Sequence, residues 1–169
     1  MSVSLYDISV PVYLQFLTSL SDVLGKAAAH AEAKKIDPAF LLGMRLYPDM
    51  YTLTQQVQQA TSYAINGAGR SAGVERPNLG TGETSFAALR ARLANAIDFL
   101  KSLKREDFDG KDVVIDFHGK DRHFTGPSYL LTFSLPSFFF HCTIAYGILR
   151  HCGVEIGTSD FRGTPVQAG

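Results

Sequence analysis

The 169-residue chain has no tryptophan, only two cysteines and no surplus of charge, since sixteen Lys and Arg balance sixteen Asp and Glu. Two thiols cannot build a disulfide framework. Cys142 and Cys152 on one helix would stand about 15 Å apart, beyond bridging distance. They are expected to be small hydrophobes in a reducing, cytoplasmic compartment. A net charge of zero removes the basic surplus that nucleic-acid binding requires, so no nucleic-acid partner is expected. There is no glycine-rich phosphate loop, no nucleophile elbow and no CxxC pair. Residues 1–7 lack a basic segment followed by an apolar one, the pattern of a secretory signal.

One local absence stands out. Between Arg122 and Arg150 lie 27 residues without Asp, Glu, Lys or Arg. Leu130–Leu149 has the length of a membrane span. However, Thr132, Ser134, Pro136, Ser137, His141 and Thr143 interrupt it, and no basic cluster marks one side. The central helix of a soluble protein has the same composition, and that reading, with no membrane insertion, is the expectation.

What is present is helical periodicity. Tyr13, Phe16, Leu17, Leu20, Val23, Leu24, Ala27 and Ala31 form one stripe, predicting a helix from Val10 to about Lys35 that Asp37-Pro38 ends. Met50, Leu53, Val57, Ala60 and Ala64 predict a second helix, starting at Pro48 and stopping at the Gly67–Gly69 breaker. A loop from Arg70 to Gly82 follows. The third helix starts near Glu83-Thr84 and buries Phe86, Leu89, Leu93, Ala96, Ile97, Leu100 and Leu103, with Arg90 and Arg92 off its stripe. Asp112–Phe117 and Arg122–Thr125 read as a small β-hairpin. A fourth helix begins between Pro127 and Pro136 and runs to Cys152, with Gly153 as its cap. The segment from Gly157 to Gly169 is polar, glycine-rich and expected to be poorly ordered. The fold class is therefore all-α: a four-helix bundle with a small hairpin between helices 3 and 4, one domain over residues 1–162 and a flexible tail over residues 163–169.

Two groups of chemistry-bearing residues emerge. His118, His123, Asp116 and Asp121 surround the hairpin turn, where an acid/base pair could be built, although a solvated polar turn accounts for the same residues. His141 sits on an apolar helix and must satisfy two ring nitrogens, for which Tyr47, Asp49, Tyr51 and Tyr146 are candidate partners.

Leu46-Tyr47-Pro48-Asp49-Met50, Gln55-Gln56-Val57, Phe140-His141 and Ala145-Tyr146-Gly147-Ile148-Leu149-Arg150 followed by Gly153-Val154 resemble an uncharacterised bacterial branch of the DinB/YfiT-like superfamily. That resemblance covers about residues 1–162. It implies an up-down-down-up bundle, a common tendency to dimerise, and in better-understood members a zinc or nickel ion held by three histidines. Some such members are transferases or isomerases that use a low-molecular-weight thiol. The implied ligand set is one histidine on helix two and a pair four residues apart on helix four. His141 matches one of the pair, but Ser137 and Ala145 occupy the positions four residues away, and helix two offers Gln55, Gln56, Gln58 and Gln59 instead of histidine. His30 and His151 share an end only if helices one and four run parallel. No cofactor is expected, with Zn or Ni as the alternative. The expected protein is a non-catalytic, homodimeric, small-ligand-binding bundle. Its candidate ligand-binding residues are His141, Asp49, Tyr51 and Tyr146, converging near the middle of the bundle. The alternative is a diverged metal-dependent enzyme of the thiol-transferase type, using His141.

Overall fold

A computed structural model describes residues 4–165. The long helices are α1 (Val10–Lys34), α3 (Leu53–Ser71), α4 (Phe86–Ser102) and α6 (Leu135–His151). A short α2 (Pro38–Gly43) precedes α3, and α5 (Gly126–Tyr129) runs through a wider π-helical turn, Leu130–Ser134, into α6. Strands β1 (Val113–Asp116) and β2 (Asp121–Phe124) pair antiparallel, with Val113 opposite Phe124 and Asp116 opposite Asp121. Helix α7 (Thr158–Arg162) follows α6.

Helix directions follow from contacts. The Tyr13 hydroxyl meets Ser134 Oγ at 2.8 Å, and Ser134 donates to the Tyr63 carbonyl at 3.1 Å, so the start of α1 and the approach to α6 face the second half of α3. At the other end, a Cβ built on Gly153 would touch His30 at 3.8 Å. Helices α1 and α6 therefore run parallel, and α3 opposes both. Gly69 of α3 lies beside Phe99 of α4, which makes those two parallel. The bundle is thus up-down-down-up. Its core is continuous, from Tyr13, Leu17 and Leu24 through Leu53, Val57 and Ala64 to Leu93, Phe138 and Leu149.

The helix Gly126–His151 is long and apolar enough to cross a membrane by length and composition, with a mean hydropathy of 1.3 over its best window. Here it packs on α3 and α1, while Leu131 and Phe140 face outward.

Four expectations need correction. Helix α3 starts at Leu53, not Pro48. A capping box sets the start: Thr52 Oγ1 accepts from Gln55 N–H at 3.3 Å, and Gln55 Oε1 accepts from Thr52 N–H at 2.9 Å. Pro48 instead lies in a turn that Arg45 holds through the Pro48 and Met50 carbonyls. Thr52→Ala is expected to cost about 1 kcal/mol, read as a shift of the denaturant midpoint.

Second, Gly67 and Gly69 do not break α3. A Cβ at Gly67 would lie 2.3 Å from the Tyr13 hydroxyl and 2.2 Å from Ser134 Oγ, and one at Gly69 would lie 2.5 Å from Arg76 Cγ. These glycines admit neighbours rather than end a helix.

Third, Arg92 is buried although it lies off the stripe of α4. Fourth, the segment after Gly157 is not uniformly disordered. Helix α7 docks on α1, where Ser19 Oγ donates to the Phe161 carbonyl at 2.7 Å and Lys26 pairs with Asp160. Within the expected tail, residues 166–169 lie outside the described residues.

The hairpin turn explains its own polar residues. His118 and Gly119 both have positive φ (56° and 75°), the backbone of a two-residue type I′ loop. Asp116 Oδ1 accepts from Gly119 N–H at 2.8 Å. Val113 and Ile115 face inward, and Phe117 and Phe124 pack edge-on or tilted against Phe133. An isolated hairpin is marginal in water, and this one is anchored by aromatic contact with the π-turn.

Candidate functional site

His141 lies in the first half of α6, 8% exposed, opposite the start of α3. Its Nδ1 is 2.7 Å from Gln56 Oε1, and Gln56 is itself buried. The orientation of the amide is fixed from its other end, because Gln56 Nε2 donates to the Tyr51 carbonyl at 3.3 Å. Oε1 can only accept, so Nδ1 carries the proton and Nε2 holds the lone pair. Among the described residues, Nε2 has no hydrogen-bond partner.

Two tyrosine rings lie close to the imidazole. Tyr63 stacks on it with centroids 5.4 Å apart and planes 20° off parallel, while Tyr51 lies at 6.2 Å, tilted by 31°. Burial pushes the imidazole pKa down to about 4, so the ring is neutral at pH 7.

A cavity of about 210 Å³ opens beside this group, lined by Asp49, Met50, Tyr51, Gln56, Phe140 and His141. Phe140 and Tyr51 are half exposed and form its outer walls. Three of the four expected residues, His141, Asp49 and Tyr51, therefore meet at one place. That place differs from expectation in two ways. It is a mouth at the bundle surface rather than its middle, and Asp49 and Tyr51 come from the loop before α3 rather than from a helix.

Tyr146 does not join them. Five residues beyond His141, it points to another side of α6, packs edge-on against Phe161 and directs its hydroxyl to the Ile156 carbonyl at 3.4 Å. The partner that satisfies His141 is Gln56, not a tyrosine or carboxylate. The signal available in the sequence was Gln56 falling next to Val57 on the inward side of a helix, a position where a polar side chain needs a partner.

The donor set does not fit a three-histidine metal centre. The positions flanking His141 by one turn are Ser137 and Ala145, and the side chain facing it from α3 is an amide. Among the described residues no three His, Cys, Asp or Glu side chains converge. His30 and His151 do come to the same end of the bundle, with His151 exposed. Cys142 is buried, and burial pushes its thiol pKa far up, as it does more mildly for Cys152, so neither is an activated nucleophile.

A second polar constellation lies on α4 and was not foreseen. Arg92 Nε donates to Thr61 Oγ1 at 2.6 Å, and Nη1 donates to the Gly80 carbonyl at 2.7 Å and to Glu83 Oε1 at 2.9 Å. Gln58 Nε2 binds the other Glu83 oxygen at 2.7 Å. Burial pushes the Glu83 carboxyl up, but the hydrogen bonds from Arg92 and Gln58 outweigh this and hold it below its ordinary range. The latch ties the loop between α3 and α4 to the bundle.

An up-down-down-up bundle with its polar site at the α3–α6 mouth and a hairpin before the last long helix defines a DinB-like protein. The chain belongs to the family described as a domain of unknown function, DUF1993, which matches residues 5–162. It is similar to the crystal structure of a DinB family member protein from Shewanella denitrificans, at 37% identity and a TM-score of 0.88, covering 98% of this chain and 96% of that one. None of the curated proteins matches the chain.

Proposed function

We propose that this DinB-like bundle is a small-molecule-binding protein whose ligand seats on His141. The observation that carries the reading is the imidazole itself: Gln56 takes Nδ1–H, and Nε2 is left as an acceptor at the wall of a cavity. A neutral, oriented and accessible acceptor beside aromatic side chains suits a small planar molecule with one O–H or N–H donor. A volume of about 210 Å³ suits a single ring, since cavities of about 150 Å³ already take benzene.

Phenol is the direct probe, with toluene as the isostere lacking the donor. Phenol is expected to perturb the His141 and Tyr51 resonances and to bind about tenfold more tightly than toluene, a difference of about 1.4 kcal/mol. His141→Phe keeps an aromatic ring there and is expected to remove the preference. Equal binding of the two probes, or binding unaffected by His141→Phe, would overturn the reading.

The alternative, a diverged metal-dependent enzyme using His141, has some support in the Nε2 lone pair and in Asp49 sharing the cavity. Elemental analysis of untagged protein separates the two. Stoichiometric zinc or nickel that is lost in His141→Phe would favour the enzyme. We further read the protein as a soluble, cytoplasmic homodimer. Exposed Phe40, Leu46, Tyr47 and Phe140 support the dimer, and sedimentation tests it.

A further inference from the structure

The outward face of α3 carries a second feature, separate from the His141 mouth. Gln59, Ser62 and Asn66 follow one another along this face at helical spacing, each half-buried. Two roofs flank them. On one side the loop from Val74 to Glu83 leans over α3, tied down by Arg92. On the other, the hairpin approaches through Ile115, Asp116 and Phe117. The space beneath the loop is about 550 Å³ and that beneath the hairpin about 200 Å³, and Gln59, Ser62 and Asn66 line both. The two spaces share that row of side chains, and the larger is a groove beneath the loop.

Its lining is mostly polar. Among the described residues, none of Gln59, Ser62 and Asn66 makes a side-chain hydrogen bond within the chain, and neither does Arg76. Their immediate neighbours do: Gln58 is spent on Glu83, Arg70 on Tyr129, and Arg92 on Thr61, Gly80 and Glu83. The fold thus commits Gln58 and Arg92, which also line the groove, and leaves Gln59, Ser62, Asn66 and Arg76 without side-chain partners.

Arg76 is also placed with care. Its stem lies across α3 at Gly69, where any Cβ would come within 2.5 Å of Arg76 Cγ and 2.9 Å of Cδ. A helical glycine thus makes room for an arginine that lines the groove. No Asp or Glu lines the larger space, and Arg92 there is already neutralised by Glu83. Arg76 is the cation of that groove left to meet a ligand, while Arg70 and Asp116 line the smaller space beneath the hairpin.

We propose that this groove is a binding site for a small polyhydroxylated anion, a carboxylate or phosphate ester of a polyol. Arg76 holds the anionic group, and Gln59, Ser62 and Asn66 exchange hydrogen bonds with the hydroxyls. An amide both donates and accepts, as a hydroxyl does, so a row of two amides and a hydroxyl on a rigid helix matches a row of hydroxyls. A guanidinium offers paired donors that match a carboxylate or phosphate edge. The volume falls in the range of small-metabolite sites.

Titration calorimetry with glucose 6-phosphate and gluconate tests this on the full chain, with glucose and inorganic phosphate as the separated halves. At least one polyol anion is expected to bind at sub-millimolar concentration, and each half more weakly by about tenfold or more. Arg76→Gln keeps most of the stem over Gly69 and is expected to weaken the polyol anion by about tenfold while leaving glucose unchanged. Asn66→Leu is expected to weaken both the anion and glucose. Preference between the two anions identifies phosphate or carboxylate as the recognised group. Absence of binding by both anions at millimolar concentration would overturn the proposal. So would binding that Arg76→Gln and Asn66→Leu leave unchanged in protein whose thermal unfolding stays cooperative.

Discussion

Replacing Arg92 with methionine is expected to destabilise the protein by about 3–5 kcal/mol, more than any other single surface-to-core contact described above. The guanidinium is buried and spends its donors on Thr61, the Gly80 carbonyl and Glu83. Methionine fills much of the volume but leaves the Glu83 carboxylate, one-tenth exposed, without its cation. It also releases the Gly80 carbonyl of the loop, while Thr61 Oγ1 keeps its hydrogen bonds to the Val57 and Gln58 carbonyls. Lysine is not expected to restore the loss, because one ammonium cannot reach three partners set in a plane.

Chemical denaturation of Arg92→Met, of Glu83→Gln and of the double variant checks the account. The double variant should lose less than the sum of the two singles, since the second change removes the orphaned charge. Strict additivity would show that the pair does not act as a unit. The Glu83 carboxyl is held below its ordinary pKa, so its contribution is fully present above the unfolded carboxylate range. It is lost as pH falls through the lower folded value.

The second large effect is a loss of stability on mild acidification that traces to one histidine. In the unfolded chain His141 takes up a proton near pH 6.5, but in the fold burial postpones this to about pH 4. Between these values the unfolded state binds more protons, so stability falls as pH falls and levels off below pH 4. The loss is expected to be about 2 kcal/mol between pH 7 and pH 4, with the cavity's access to solvent keeping it below the ideal figure. His141→Phe has no proton to bind and should show a flatter profile over the same window. Parallel profiles for the two proteins would contradict the buried, neutral state of the imidazole.

The four long helices were legible because each writes its buried face as an unbroken stripe, from Tyr13 to Ala31 or from Phe86 to Leu103. The hairpin was legible from β-branched residues around His118-Gly119. What escaped was one local signal and several contacts between distant segments. Pro48 looked like the first residue of a helix, yet Thr52 and Gln55 form the capping box, a signal that was in the sequence and outweighed. Gly67 and Gly69 looked like breakers because nothing local reveals that Tyr13 and Arg76 press against them. Arg92 lies off its helix's stripe, and it is buried between Thr61 of α3 and the loop of residues 74–83.

The candidate site was half legible. His141 could be singled out as the titratable group of a charge-free helix, and Asp49 and Tyr51 do reach it. Gln56, the residue that fixes its tautomer, stood in a run of glutamines, and its place beside Val57 on the inward side of the helix was the signal that went unused. Tyr146 was excluded by its place around the helix.

The central claim is that His141 is neutral, protonated on Nδ1, and offers Nε2 to the cavity. Long-range ¹H–¹⁵N correlation of the imidazole at pH 7 measures this directly. The predicted spectrum has an amine-like Nδ1 and an imine-like Nε2, and in Gln56→Leu that pattern is lost or averaged between tautomers. A protonated imidazolium at pH 7, or a fixed Nε2–H tautomer, would contradict the account.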